Sequence, residues 1–424
     1  MGETFSIISL GCPRNLVDSE YIIEDFQRNG YVFKEEPDNI ETLIINTCGF
    51  IEDAKKESID TILDAIDAKR DGRIKRIIVA GCLSQRYMRE LKKELNEVDE
   101  FRGVLDFRKV WNWGRNLRLS QPHYAYLKIS EGCGNRCSYC VIPDIKGPYR
   151  SKGLELILEE AEGLVKKGVK EIVLVGQDTS LYGIDLYRKK MLARLLQMLD
   201  DIKGDFWIRV LYCHPANLDR DVIKVIRDSK HICKYIDIPV EHISDKILKK
   251  MNRRITKKEI LSLINHIRKE ISNVALRTSL IVGFPGEDEK DFLELIPFIK
   301  EARFERLGLF KYSREDGTPA YNFEGQVSEE EKEARFNRVM LVQEEISKDI
   351  NNSFKGRSLK VLIDEKNTSG FLGRTEYDAP EVDGNVYIKD KGLEVGNFYQ
   401  AHIVDTYEYD LIGLVAPVQQ TNRP

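Results

Sequence analysis

Three thiols in one short loop are the residues of this chain most clearly arranged for chemistry: Cys133, Cys137 and Cys140 in Glu131-Gly-Cys133-Gly-Asn-Arg-Cys137-Ser-Tyr139-Cys140. The spacing is C-x3-C-x2-C, with glycine on both sides of the first thiol and no fourth ligand nearby. A closed structural zinc site takes four protein ligands, usually two C-x-x-C pairs or cysteines with spaced histidines. A zinc knuckle that borrows a distant ligand is the bland alternative. Three thiolates can instead hold three irons of a 4Fe-4S cube and leave the fourth iron open, and an open metal position is what catalysis requires.

A second set of three thiols is spread over the first third of the chain. Phe5-Ser-Ile-Ile-Ser-Leu-Gly-Cys12, Leu43-Ile-Ile-Asn-Thr-Cys48-Gly and Ile77-Ile-Val-Ala-Gly-Cys82 are short β-rich apolar runs that each end in a cysteine beside a glycine. Helical periodicity lies between two of them, as in Ile59, Ile62, Leu63 and Ile66, so the region reads as alternating strand and helix. Such units build an open parallel sheet whose ligands gather at the carboxyl ends of the strands. All three cysteines fall there, on strands about 4.8 Å apart. Three idle buried thiols are the alternative, but the recurrence with glycine favours a second cluster.

The loop Cys133-x-x-x-Cys137-x-Tyr139-Cys140, with an aromatic residue before its last cysteine, resembles the signature of the radical S-adenosylmethionine enzymes. Ser9-Leu-Gly-Cys12-Pro-Arg-Asn-Leu-Val-Asp-Ser-Glu20, Asn46-Thr-Cys48-Gly-Phe50 and Gly81-Cys82-Leu83 resemble the amino-terminal domain of the methylthiotransferases of that superfamily. The resemblance implies two 4Fe-4S clusters. That of Cys133, Cys137 and Cys140 would bind S-adenosylmethionine, whose reductive cleavage yields a hydrogen-abstracting radical. That of Cys12, Cys48 and Cys82 would be auxiliary and carry the sulfur to be transferred. The resemblance also places Tyr139, Gly176 and Gln177, Ser279 and Gly283 beside the cofactor, although Gln177-Asp178 departs from the Gly-Gly-Glu-like sequence usual at that turn.

Positioning these groups requires three consecutive units, an α/β chain throughout. Residues 1–105 are expected to form the open parallel sheet, and residues 103–121, without a clean period, a linker. Strand-like runs at His123–Ser130, Glu171–Gly176, Trp207–Tyr212, Tyr235–Val240, Ala275–Gly283 and Arg306–Phe310 alternate with helical segments. Six such units across residues 123–327 fit a partial (β/α)6 barrel with reactive groups at the strand ends. Residues 328–356 read as a helical strap with Phe336, Val339, Met340, Ile346 and Ile350 on its apolar face. Alternating β sequence with glycine turns in residues 357–424 reads as a small closed OB-type barrel, resembling the TRAM domain that ends methylthiotransferases. Cys213 and Cys233 read as packing residues, His214 at a strand end as a residue facing the site, and Lys249-Lys-Met-Asn-Arg-Arg254 as a solvated basic face rather than a phosphate patch.

Neither an 18-residue apolar run nor a signal-like start follows Met1, so no membrane partner and a cytoplasmic location are expected. Eight cysteines then point to metal sites rather than disulfides. Within the family one branch modifies isopentenyl-adenosine in tRNA, and another an aspartate of the twelfth small-subunit ribosomal protein. The terminal barrel has seven basic residues against eleven acidic ones, whereas barrels that grip RNA are basic. Glu376, Asp378, Glu381 and Asp383 are therefore expected to bind a basic ribosomal protein, with nucleic acid not the direct substrate. The motif around Cys12 and Asp378-Ala-Pro-Glu-Val-Asp-Gly384-Asn also resemble the ribosomal-protein branch, which implies 3-methylthioaspartate as product, an electron donor such as flavodoxin, and a sulfur source. The alternatives are tRNA methylthiolation and a non-catalytic iron-sulfur electron-transfer protein that docks on the ribosome. Three-ligand sites count against the last, because electron-transfer clusters normally have four protein ligands.

Overall fold

The apolar runs of the first hundred residues pair as parallel strands in the computed structural model, which describes residues 2–37, 39–115, 117–390 and 392–415. Strands β1 (Thr4–Ser9), β2 (Val32–Phe33), β3 (Ile40–Thr47), β4 (Ile74–Gly81) and β5 (Glu100–Phe101) lie in the order β2-β1-β3-β4-β5. Ile44 faces Ile78 in the β3–β4 register. Both faces are covered, which is why the central strands are apolar almost without break. Helix α1 (Pro13–Arg28) covers Ile44 and Ile78 with Ile22, Ile23 and Phe26. On the other face α2 (Glu52–Arg70) and α3 (Cys82–Glu94) cover Leu43, Ile45, Ile77 and Val79. Pro13 pre-sets the first turn of α1.

The segment after β5 carries the one-turn helix α4 (Phe107–Val110) and the buried Arg115, which ion-pairs with Glu20 of α1 and with Glu160. Next comes β6 (Tyr124–Lys128), then the antiparallel pair β7 (Ser130–Glu131) and β8 (Arg150–Ser151), which brackets the thiol loop and the short helix α5 (Ile142–Lys146). Helix α6 (Leu154–Lys166), β9 (Glu171–Val175), α7 (Leu192–Asp200), β10 (Trp207–Val210), α8 (Arg220–Asp228) and β11 (Tyr235–Asp237) follow. Then come α9 (Asp245–Lys250), α10 (Lys257–Glu270), β12 (Ala275–Val282), α11 (Glu289–Leu293), α12 (Leu295–Ala302) and β13 (Arg306–Lys311). Strands β6, β9 and β10 form one parallel sheet and β11, β12 and β13 another, joined by the bridge Ile208–Ile232. The six strands are thus an arc in sequence order, the expected partial barrel. Outward residues such as Leu127, Leu174, Ile208 and Leu276 pack on the helices.

Lumen-facing Tyr124, Tyr126, Val173, Trp207 and Tyr235 pack instead with Val17 and Tyr21 of α1, Phe107 of α4, and Leu362 and Ala379 of the terminal barrel. Helix α13 (Glu329–Asn352), capped by Ser328, runs along β13 and α12. After it β14 (Ser358–Asn367), β15 (Gly370–Thr375), β16 (Val386–Ile388), β17 (Phe398–Thr406) and β18 (Leu411–Val415) close as β14-β15-β16-β18-β17. The basic residues Lys391 and Arg423 and the chain from 416 to 424 lie outside the described residues. Among the described residues no helix is long and apolar enough to cross a membrane.

Each of the four carboxylates expected to bind a partner has a hydrogen bond within the molecule, although Glu381 stays exposed. Asp378 is 2% exposed and pairs with Arg306, whose Nε lies 2.9 Å from Oδ1. Asp383 accepts from the Tyr235 hydroxyl at 2.7 Å. Glu376 accepts from the Lys234 amide at 3.0 Å, and Glu381 from the Tyr124 hydroxyl at 2.7 Å. Beside them Arg374 reaches both Glu171 and Asp364 at 2.7 Å, and Glu171 also holds Arg209 at 2.6 Å. The physical reason is that the beginnings of the barrel strands present buried cations and hydroxyls, and a buried cation without a counter-charge is costly. The terminal barrel supplies the counter-charges and plugs that end of the lumen. Replacing Asp378 by Ala should strand Arg306 and lower stability by about 3–5 kcal/mol, read as a shift in the denaturant midpoint. An unchanged midpoint would mean the plug does not depend on this pair.

Candidate functional site

The three N-terminal thiols meet at the carboxyl edge of the sheet because their strands are adjacent in the order β1-β3-β4. Cys12 caps α1 and Cys82 is the first residue of α3, so two of the thiols sit at the positive ends of helices, which favours a thiolate. Cys48 lies against Gly11: a Cβ there would stand 2.7 Å from Cys48 Cβ and 2.9 Å from its Sγ. With φ of +85° as well, this is a position only glycine fills without strain. The thiols feel one another. Burial and the neighbouring Cys12 raise the Cys48 thiol; burial pushes Cys82 up to about 12, with Lys146 opposing and Cys48 and Cys12 adding. At Cys12 burial is outweighed by Arg14, which brings the thiol below its ordinary value.

The second set rides on the loop between β7 and α5. Its backbone is held by Cys133 N–H to the Gly147 carbonyl at 3.2 Å, Ser138 N–H to Met251 at 3.0 Å and Cys140 N–H to Cys137 at 3.1 Å. Burial raises the thiols of Cys133 and Cys140, and Cys137 adds to both. Arg253 donates from Nη1 to Cys137 Sγ at 3.7 Å. All six thiols are free. Among the described residues no three ligating side chains gather as a mononuclear metal site needs. A cubane holds its thiolates on separate corners. Three free thiols per set, glycine-lined loops and nearby cations are a donor set that fits such a cluster.

The two sets lie on either side of the juncture between the strand ends of the barrel and the start of α1, where the charge of Arg14 acts on both. A buried charge network fixes this juncture: Asp18 of α1 pairs with Lys128 and, at 2.6 Å, with Lys146, while Lys128 also holds Glu131 at 2.7 Å. The Lys128 ammonium lies 3.9 Å from the centre of the Phe107 ring. From α1 the guanidinium of Arg14 projects over the Tyr212 ring at 4.7 Å and reaches the Gly176 carbonyl at 3.5 Å. Its charge is felt by Cys12 and Cys48 on one side and by Cys133 and Cys140 on the other. Tyr212, at the end of β10, and Glu241, beyond β11, have φ of +62° and +71°. Left-handed backbone at such residues costs about 1–3 kcal/mol and concentrates at functional sites.

The residues expected beside the cofactor are placed unevenly. Tyr139 packs edge-on to Phe284. Gly176 is close to Ser130, whose Oγ a Cβ would meet at 2.4 Å. The Gln177 amide donates to Glu131, and its Oε1 is buried without a partner, free for a ligand's donor. Ser279 is partly exposed on β12, its carbonyl taken by the Glu241 amide at 2.7 Å. Gly283 is turned away: its N–H is bonded to Glu287 at 2.9 Å, and a Cβ would strike Lys332 of α13 at 2.3 Å. Cys213 and Cys233 are each 1% exposed and pack in the cores. Burial and Arg253 depress the buried His214 to about 2. Sequence reasoning missed Arg14, Lys128, Lys146, Tyr212, Glu241 and Arg253. Arg14 had a signal, being two residues from Cys12. Arg253 was hidden in a basic run whose Lys249 and Lys250 are indeed exposed.

The radical SAM superfamily profile matches residues 127–299, that of uncharacterized protein family UPF0004 residues 4–103, and the TRAM domain residues 356–415. The ribosomal protein uS12 methylthiotransferase RimO of Clostridium tetani is 44% identical, over 97% of this chain and 98% of its own. Those of Parabacteroides distasonis and Clostridium kluyveri are 44% and 45% identical, over 96% of this chain in both cases and 98% and 97% of their own. Among solved structures, the radical S-adenosylmethionine methyltransferase TsrM from Kitasatospora setae with cobalamin and a [4Fe-4S] cluster bound superposes with a TM-score of 0.53. It is 12% identical, over 76% of this chain and 74% of that one, and so speaks for the fold alone.

Anaerobic reconstitution with iron and sulfide should load about eight irons per chain. Replacing Cys12, Cys48 and Cys82 together by Ala should halve that number, and Gly11→Ala should lower it toward the same value by displacing Cys48. A fully reconstituted wild-type protein with about four irons would remove one of the two sets from the site.

Proposed function

Because the chain belongs to the family of the ribosomal protein uS12 methylthiotransferases RimO, we propose that it methylthiolates the β-carbon of an aspartate in the twelfth small-subunit ribosomal protein. The product is 3-methylthioaspartate. The observation that carries this reading is identity of 44% along 97% of the chain, which spans all three units in order. It is a radical S-adenosylmethionine enzyme with iron-sulfur chemistry. We place one 4Fe-4S cluster on Cys133, Cys137 and Cys140 and an auxiliary one on Cys12, Cys48 and Cys82. When bound, these groups and S-adenosylmethionine supply the electron, the hydrogen-abstracting radical and the methylated sulfur that the reaction needs. A reductant, such as a flavodoxin, and a sulfur donor complete the stoichiometry, and the enzyme works in the cytoplasm.

This chain's own residues position and shield. Arg253 stands against Cys137 as a fixed counter-charge. Lys146, held by Asp18, stands beside Cys82 and opposes the rise that burial imposes on its thiol. The Asp18–Lys128–Glu131 pairs tie α1 to the thiol loop, so the two sets face each other without a flexible joint. Holding three reacting partners in line is a proximity effect, which can supply roughly 7–11 kcal/mol of a barrier. The aromatic layer of Tyr124, Tyr126, Trp207 and Tyr235 below the cavity, sealed by the terminal barrel, keeps water from the side on which no substrate enters.

The acidity of the terminal barrel no longer argues for a basic partner, since its central carboxylates are held by Arg306, Arg374, Tyr124 and Tyr235. Substrate choice rests on the relatives. Mass spectrometry of ribosomal proteins from cells with and without the gene should find one methylthio group on a single aspartate of uS12. It should vanish on deletion and return with the wild-type chain but not with Cys133→Ala. Unmodified uS12 in wild-type cells, with methylthio-isopentenyl-adenosine lost from tRNA on deletion, would transfer the enzyme to the other branch.

A further inference from the structure

An aspartate that reacts at its β-carbon carries its carboxylate on the neighbouring atom. Whatever receives that carboxylate must therefore stand between the two thiol sets, and a receptor elsewhere in the lumen would be too far away. Lys128 and Lys146 are engaged by Asp18 and Glu131. Arg277 is engaged by Asp237 at 3.3 Å and Asp383 at 3.5 Å. Arg253 is 4% exposed, its guanidinium taken by Cys137 and the Pro239 carbonyl. Arg14 differs. It is partly exposed, stacks on Tyr212, shares a hydrogen bond with the Cys12 side chain at the edge of its guanidinium, and its one backbone contact, to Gly176 O, is long at 3.5 Å. Among the described residues no carboxylate forms an ion pair with it.

We propose that Arg14, backed by the Tyr212 ring, is the receptor for the side-chain carboxylate of the target aspartate and so sets the selectivity for aspartate over asparagine. The assignment rests on the aspartate-modifying reading above. A planar guanidinium can grip a carboxylate through two parallel N–H donors, a geometry that an amide, with only one acceptor oxygen, does not satisfy. The stack fixes the plane. Tyr212 is itself fixed, its N–H bonded to Asp237 at 2.8 Å and its carbonyl receiving the Thr179 amide at 3.0 Å, which holds the residue in its left-handed conformation. Arg14 comes from the sheet domain and Tyr212 from the barrel. The receptor therefore exists only when the two domains are joined as they are for the reaction.

The test is a double-substitution cycle on reconstituted holoenzyme with full-length uS12, carrying either the native target aspartate or asparagine in its place. Affinity and KM are measured for wild type, Arg14→Gln and Arg14→Lys. With the aspartate protein, Arg14→Gln should weaken binding by about 30-fold or more, and Arg14→Lys, which keeps the charge without the fork, should recover part of it. With the asparagine protein, wild type should lose a similar factor and Arg14→Gln should lose little beyond it. A purely structural or cluster-tuning role for Arg14 would fall equally on both proteins and appear in kcat; equal losses overturn the proposal. Electron paramagnetic resonance of the auxiliary cluster, unchanged in Arg14→Lys, separates a lost receptor from a lost cluster. If wild type fails to modify the aspartate protein at all, the functional reading itself falls, and the receptor with it.

Discussion

Everything at the site depends on one buried set of charges, Asp18 with Lys128, Lys146 and Glu131, which joins the first turns of α1 to the loop that carries Cys133. A buried ion pair adds little net stability against an apolar alternative, but removing one member leaves a charge that the interior cannot solvate. Such a set is a poor glue and a strict register. It admits one arrangement of the two domains, in which the carboxyl edge of the parallel sheet faces the strand ends of the barrel. Arg115 repeats the device at the middle of α1, pairing with Glu20 and Glu160, and Arg86 and Lys55 do so from the sheet domain to Glu315. The domains are thus pinned at three places around the two thiol sets.

The pins explain why the cavity tolerates strain. Tyr212 and Glu241 adopt left-handed backbone without being glycine, and Gly11 lies against Cys48 with no room for a methyl group. A loop free to relax would leave these conformations. Here each is over-determined by neighbours on both sides, so the strain fixes where rings, carboxylates and thiols point. Five of the six thiols are partly exposed and Cys82 is buried, while Lys146 and Arg253, which stand against Cys82 and Cys137, are buried.

How much of this was legible in the sequence follows from the range of the interactions. The thiol sets, the parallel sheet and the six-strand arc could be read because glycine, cysteine and apolar alternation mark strand ends locally. The small barrel was legible too, although β15, with two glycines and Arg374 in six residues, gave little apolar signal. Side-chain partners across domains were not. Nothing local shows that Arg253 turns inward while Lys249 and Lys250 stay in water, or that Gly283 packs on a helix fifty residues later.

The acidic barrel shows the same limit in its most instructive form. A charge tally cannot distinguish carboxylates that face solvent from those that neutralise another domain, and the tally here included Asp378 and Asp383, which meet Arg306 and Arg277. The cations they meet, Arg306 at the start of β13 and Arg277 beside it on β12, take positions that apolar residues would fill in a closed barrel. An open six-strand arc cannot pack its own lumen shut. By placing cations there and the matching anions on a separate domain, this chain makes closure of the lumen conditional on docking. The terminal barrel then belongs to the catalytic architecture as its floor, and recognition of the substrate is left to the opposite mouth, where α1, Arg14 and the two thiol sets converge.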